Sequence, residues 1–595
     1  MLQFRPRRPR LAPLLWPTAL LWLIALPTPA SYGAGYEDGL PAGRLGVVVA
    51  TDFARAESLI ARTAADLGLA YRSPVETLGL PRDTANTIFG SGEVAVGAAV
   101  SDATGAVYPF ASLAVDPTAD DPLATFLAAV GGEPAGDVGL LTVSGVELCV
   151  AITRGRLLVV PVEQLDEIQQ PNEARGVADL ANPATQPPAT ELRATGSQPL
   201  LAFEVERRGL TMLAERAGRI EPHVRKAALG RALVWPPTVA ALKAQFVQNR
   251  PLLEELALAY QRIRFELHGD DGGIAARFVA SQPTSAKRQP PRADAEARRV
   301  PPAPFAWPRP AASASGTSDG GAVKALLRLN LAYLHGRPDA IDADAYDERA
   351  MVRFRAAALA ALGHVESFDA SIAAHLQADE PLYANRAAVL QVRDADAFGA
   401  AVIAFFDRWN TLVAETMAGA NLTFATRPLE RDGLQGVEFD VDILAAMNLG
   451  AAPEVRDVIE RFFGPGARYT WRLVTLPDGR VLLSDYRWPE VKGLAKRLAD
   501  AKTNPYEPRA GKPEGAASLP SAPGVHATVA PLRYLGWQQR ITRTIRGQAE
   551  RHPAEAAQTP PVRLSATVSA GQLRVEAFTP RPTLRAIGRG YAPAR

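Results

Sequence analysis

Cysteine is almost missing from this chain. Cys149 stands alone among 595 residues, so neither an intrachain disulfide nor a cysteine-built zinc site is available, and stability must come from burial. Charge of one sign is missing too: 65 basic and 63 acidic residues leave a net charge of +2. A polyanion-binding protein normally carries a clear basic excess, so nucleic acid is not an expected partner. Only eight of the basic residues are lysine and alanine is abundant, which fits a GC-rich bacterial genome better than any function. After Leu26 no segment approaches the roughly 18 uncharged apolar residues of a spanning helix, so no membrane span is expected beyond the N-terminus. Several motifs are absent as well. There is no Walker loop and no HExxH, and Gly90-Ser91-Gly92 lacks the third glycine of a dinucleotide fingerprint.

The N-terminus, by contrast, is strongly patterned. Arg5, Arg7, Arg8 and Arg10 form a basic start, Leu11–Leu26 is an uncharged apolar run, and Thr28-Pro29-Ala30 supplies small residues for cleavage. This is the three-part layout of a secretory signal peptide over residues 1–30, with the mature chain starting near Ser31. Pro13 and Pro17 interrupt the run, and it falls short of the about 20 residues that span a bilayer, although an uncleaved anchor stays open. Pro9 and Arg10 follow Arg7-Arg8 where a twin-arginine signal prefers a hydrophobic pair, and no cysteine follows the run to carry a lipid. The expected location is therefore periplasmic or extracellular.

With 47% hydrophobic residues the chain can bury real cores. Three Pro/Ala-rich stretches, 169–199, 281–321 and 502–524, are poor in β-branched residues and read as linkers. They divide the mature chain into a first α+β domain, 31–280, containing the 169–199 insertion, and a second, 322–501, joined by linker 281–321. After linker 502–525, residues 526–595 supply strands that complete the second domain. Strands lead through acidic or polar corners into helices at Gly46–Ala50, Leu200–Val205 and Ala387–Val392. Glycine-containing turns predict hairpins over Val94–Val115, Glu147–Val162, Tyr469–Tyr486 and Leu564–Phe578. Helices are expected after three of them, at Leu123–Val130, Glu163–Ile168 and Val491–Ala501. The fold expected is α+β: two related halves of antiparallel hairpin sheets with helices packed on one face, joined by the linkers.

Candidate sites are few. Gly316-Thr317-Ser318-Asp319-Gly320 matches the G-x-S-x-G nucleophile elbow, which needs a strand before the serine, and PRPAASAS does not read as one. Its triad histidine would come from His335, His364, His375, His526 or His552. Asp339, Asp342, Asp344, Asp347 and Glu348 are oxygen donors for calcium, but Tyr346 and Asp347 fall where an EF-hand needs a ligand and a glycine. His268-Gly269-Asp270-Asp271 reads as a hairpin turn, and Cys149 as an inert thiol inside a strand. Tyr486 and Trp488 share one face of an extended segment and offer a stacking platform for a sugar or peptide. Asn421-Leu422-Thr423 is a glycosylation sequon that a bacterial chain does not use.

Taken together, the signal peptide, the paired α+β modules, the Pro/Ala/Arg-rich spacers and the late strand Gln572–Phe578 running into Pro580 resemble large exported bacterial proteins of planctomycete type. That resemblance is one of style. It implies no activity and transfers no functional residue. The expectation is an exported, non-catalytic protein that binds another envelope protein or a glycan, or serves a structural role, with no catalytic residue, metal or cofactor assigned. The alternatives are an extracytoplasmic hydrolase and a glycan- or peptide-binding protein.

Overall fold

The computed structural model describes residues 44–50, 52–67, 93–100, 107–114, 121–143, 146–153, 156–164, 199–216, 250–269, 271–282, 310–317, 321–335, 348–374, 382–383, 385–416, 423–446, 453–500, 524–545, 559–569 and 571–591. The expected signal peptide therefore lies outside the described residues. Before the middle linker the elements are β1 (Arg44–Ala50), α1 (Phe53–Asp66), β2 (Val94–Val100), β3 (Val107–Ala114), α2 (Pro122–Val130), β4 (Glu133–Ala135), β5 (Val138–Val143), β6 (Val146–Thr153), β7 (Arg156–Pro161), β8 (Leu201–Glu206), α3 (Arg207–Arg216), α4 (Arg250–Ala259), β9 (Arg262–Gly269) and β10 (Gly273–Ser281). After it come β11 (Pro310–Thr317), α5 (Ala322–His335), α6 (Glu348–Gly363), β12 (Val365–Ala373), β13 (Asn385–Val392), α7 (Ala395–Thr416), β14 (Ala425–Arg431), β15 (Leu434–Asp442), α8 (Ile443–Ala446) and α9 (Pro453–Phe463). The chain then forms β16 (Arg468–Thr475), β17 (Val481–Ser484), α10 (Trp488–Asp500), β18 (Val525–Val529), α11 (Pro531–Ile545), β19 (Val562–Ser569), β20 (Gln572–Pro580) and α12 (Arg581–Tyr591).

Local chemistry explains these boundaries. Asp52 and Asp121 accept from the backbone N–H of Arg55 and Ala124, each at 2.9 Å, and Asp394 accepts from Ala397 at 3.0 Å. Each carboxylate caps a first turn that has no carbonyl of its own to bond. Asp432 and Gly433, with φ of 53° and 76°, make the two-residue turn between β14 and β15, the backbone that a tight hairpin favours.

The strands form one 20-stranded sheet. Its neighbours run β4-β5-β6-β7-β3-β2-β1-β8-β9-β10 and, joined through the β10–β20 pair, continue β20-β19-β18-β11-β12-β13-β17-β16-β15-β14. Every pairing is antiparallel. Counted inward from either edge, each strand of the second run is the strand of the first plus ten. The protein is thus α+β and mostly sheet.

The helices do not keep to one face. Side chains alternate along a strand, and α7 (Phe398, Val402, Phe406) packs on Leu390, Leu473 and Val481. The neighbouring positions Val389, Val474 and Leu482 pack instead against Val491, Leu494 and Leu498 of α10. The expectation of a single helix-covered face therefore fails in the second half, because these strands are apolar at consecutive positions and need cover on both sides. Leu210 of α3, Ala257 of α4 and Leu329 of α5 form one cluster with Ala280 of β10 and Leu573 of β20, so a single core crosses the join.

Two other expectations are corrected. Residues 310–317, read as part of linker 281–321, form β11, held between β12 and β18. Alanine, serine and glycine look like linker, but here they permit close packing: a Cβ on Gly316 would sit 2.6 Å from the Gly524 carbonyl oxygen. The helix expected at Glu163–Ile168 is, in its described part, only the 3-10 turn Val162–Gln164.

Candidate functional site

Seven consecutive strands place one polar side chain each in a single row: Asp369, Ser315, His526, Ser565, Glu576, Arg277 and Glu266, from β12 across to β9. Residues opposed in this way on one face have Cβ atoms about 5 Å apart. The row crosses the join between the two runs of strands. Glu266, Ser565, Asp369 and Arg277 in it are all buried.

The charged end of the row is closely bonded. Arg277 donates from Nε to Glu576 Oε1 at 2.6 Å and from a terminal nitrogen to Glu266 Oε2 at 3.0 Å. Glu266 Oε1 also lies 3.0 Å from Arg264 Nε, and its Oε2 lies 3.1 Å from His268 Nε2. Arg574 donates to Glu576 Oε1 through two nitrogens, at 3.0 and 2.7 Å. Burial alone would raise the pKa of Glu266, but the His268 hydrogen bond and the charges of Arg264 and Arg277 outweigh it and hold the carboxyl at about 2. Glu576 is likewise lowered: burial opposes this, and Arg277 and Arg574 prevail. Both carboxylates are fixed charges, not proton carriers at neutral pH.

The other end is less committed. His526 stands between Ser315 and Ser565 in the row, and its Nδ1 is buried without a hydrogen-bond partner. The Nδ1 of His268 is also buried and without a hydrogen-bond partner. Two hydroxyls flanking an imidazole can bind a polar ligand through both donor and acceptor atoms. Among the described residues no group of three or more His, Cys, Asp or Glu is placed to hold a metal ion.

The candidates read from the sequence do not meet in this row, except for His526. Ser318 lies outside the described residues; β11, a strand that the sequence did not suggest, ends at Thr317, and α5 begins at Ala322. Of its histidine candidates, His335 ends α5 and His364 joins α6 to β12, while His375 and His552 lie outside the described residues. The aspartates 339–347 and the sequon asparagine also lie outside them, and Glu348 begins α6. His268 and Gly269 belong to β9 and not to a turn, and Asp271 forms an exposed ion pair with Arg62 at 3.0 Å. Cys149 is fully buried on β6, and burial pushes its thiol pKa up.

Trp488 is the first residue of α10 and Tyr486 lies two residues before it; both are buried in the core that this helix forms with the sheet, and Trp488 Nε1 donates to Asp432 at 2.8 Å. They form no open stacking platform. The row itself had a signal in the sequence, since Arg262, Arg264, Glu266 and His268 alternate with apolar residues at period two. Arg574 and Glu576 of β20 alternate with Leu573, Val575 and Ala577 in the same way, but nothing in the sequence pairs that strand with one about 300 positions away. No family model matches this chain, and neither curated proteins nor solved structures include one similar to it.

Proposed function

We propose that this chain is an exported, non-catalytic protein of the bacterial cell envelope that binds an envelope protein or glycan through the polar row at its centre. The observation carrying this reading is the state of the row's acids. Glu266 and Glu576 are charge-balanced by shared arginines and held ionised, which suits a rigid framework and not acid–base catalysis, and Ser315, His526 and Glu576 are the members of the row left partly exposed to meet a partner.

The same reading includes an internal duplication. Strand order repeats with an offset of ten, and the central pairing places Phe278 opposite Val575 within the related segments Ala276-Arg277-Phe278-Val279-Ala280 and Leu573-Arg574-Val575-Glu576-Ala577. Thr153-Arg154-Gly155-Arg156-Leu157-Leu158 and Thr475-Leu476-Pro477-Asp478-Gly479-Arg480-Val481-Leu482 likewise link corresponding strands. Crosslinking the tagged protein in cells tests the reading. One stoichiometric envelope partner is expected, lost when His526 and Ser565 are both replaced by alanine. Turnover of ester, peptide or glycoside substrates, abolished by a single substitution, would overturn it.

A second reading has one observation in its favour. The flanking of Ser318 by β11 and α5 fits the nucleophile elbow of an extracytoplasmic hydrolase. The corresponding corner after β1, Thr51-Asp52, supports the structural alternative, because Asp52 caps α1. Hydrolysis that persists unchanged in Ser318→Ala removes this second reading.

A further inference from the structure

Asp485, just beyond β17, has a side chain with no solvent exposure. Its Oδ1 accepts from the backbone N–H of Arg386, and its Oδ2 lies 3.2 Å from the Tyr469 hydroxyl. The Arg386 guanidinium donates to that same hydroxyl at 2.9 Å, while standing 3.8 Å from the carboxylate. The nearest cation thus gives its hydrogen bond to the tyrosine, is half exposed and reaches the carboxylate only at the long end of ion-pair distance, so it offsets the burial of the acid only in part.

Around it the chain is stitched together. The Tyr383 hydroxyl donates to the Asp485 carbonyl at 3.0 Å, and Asn385 Nδ2 donates to both the Tyr383 oxygen and that carbonyl, at 3.1 and 3.3 Å. The backbone N–H groups of Leu382 and Tyr383 donate to Arg461 and Phe462 at the end of α9, and Trp537 of α11 donates to the Leu382 carbonyl. The rings of Tyr383, Phe463 and Tyr469 meet with centroids 5.6 to 5.9 Å apart. Beyond them, Arg487 packs on Gly464, and Glu490 accepts from the Arg487 N–H. Arg386, Tyr469, Tyr383, Arg487, Glu490 and Tyr486 are the titratable and charged groups surrounding the acid.

We propose that Asp485 is a pH-operated catch: neutral, it holds Leu382–Tyr383, the end of α9 and the start of β16 together; ionised, it loosens them. A neutral carboxyl keeps both contacts, donating to Tyr469 where it now accepts. A charged one is sealed from solvent and has its cation only at 3.8 Å, so it gains by admitting water through the Tyr383–Phe463–Tyr469 ring contacts. Burial is the dominant influence and raises its pKa from 3.8 to about 6, with Arg386, Tyr469 and Asn385 pulling it back down. The neutral form's hold is complete below about pH 4 and is lost as pH rises through about 6, an effect on local opening of up to about a hundredfold.

Hydrogen exchange of the whole protein, corrected for intrinsic rates, reads this directly. Between about pH 5 and about pH 7.5, protection over 382–383, 385–386 and 461–469 is expected to fall by about tenfold, while β9 and β10 hold theirs. In Asp485→Asn the same segments keep their protection at both values. Constant protection in the wild type, or an equal fall in the variant, would overturn the catch. Should Asp485→Asn not fold, Arg386→Met decides. It removes the charge that favours the ionised form and keeps the backbone N–H, so the midpoint must move to higher pH, and an unmoved midpoint also overturns the proposal.

Discussion

Arg277 touches two carboxylates at once, and its replacement is the sharpest single-residue test of the central row. Arg277→Ala leaves Glu266 buried with fewer cations, and breaking such a buried pair costs about 3–5 kcal/mol. Urea denaturation at neutral pH checks the size. The sign with pH follows from the depressed pKa of Glu266. Its stabilising contribution is present above the ordinary glutamate range, near 4.5, and disappears as pH falls toward about 2. The variant should lose less stability than the wild type between about pH 4.5 and about pH 2, so the difference between them narrows on acidification, and an identical acid profile would show that Arg277 does not hold the charge. Period-two polarity in β9 announces a polar face, yet residue spacing cannot say which face is covered. The same gap explains Tyr486 and Trp488. Their spacing puts them on one side of an extended segment, and only the fold reveals that Trp488 begins α10 and that both turn into the core with that helix.

Among elements, the two edge strands differ from the rest. Within the described residues β4 and β14 each pair on one side only, with β5 and β15. An open edge invites another chain, and both edges carry known deterrents. β4 has three residues, all exposed, and contains Pro134. β14 is longer, but Pro428 lacks an N–H, and Arg427, Glu430 and Arg431 charge the exposed strand. Replacing Arg427, Pro428 and Glu430 together with valine should leave the β14–β15 pairing intact and produce concentration-dependent association by size-exclusion chromatography. A strictly monomer-like elution across concentrations, unchanged from wild type, would show that these residues are not guards. Hairpins and capped helices were legible because their signals are local: a glycine in a turn, an aspartate before a helix. β11 was not, because alanine and serine pack as a strand only between neighbours supplied from 50 and 200 positions away.

For the whole molecule the decisive feature is the β10–β20 join, nine opposed residue pairs from Gly273–Pro580 to Ser281–Gln572. It was invisible in the sequence, since nothing local tells a strand near residue 277 that its partner lies near 576. The strands before and after the middle linker could as well have formed separate bodies on a Pro/Ala-rich tether. Instead the core of α3, α4 and α5 spans the join, and α12 reaches back to α1, where Asp66 meets Arg581 at 2.8 Å and Arg585 at 2.9 Å. These contacts couple the halves, so unfolding should be one cooperative transition in calorimetry despite the chain's length. Ala276 is the place to test it. It is buried in β10 between β9 and β20, where proline removes a ladder hydrogen bond and disturbs the strand. If the join carries the cooperativity, Ala276→Pro should split the transition in two, with the half containing β14–β17 melting near the wild-type temperature. One transition merely shifted downward would mean that the α12–α1 clasp and the shared helix core suffice without the join. The next variant would then be Asp66→Ala, which releases both arginines of α12 at once.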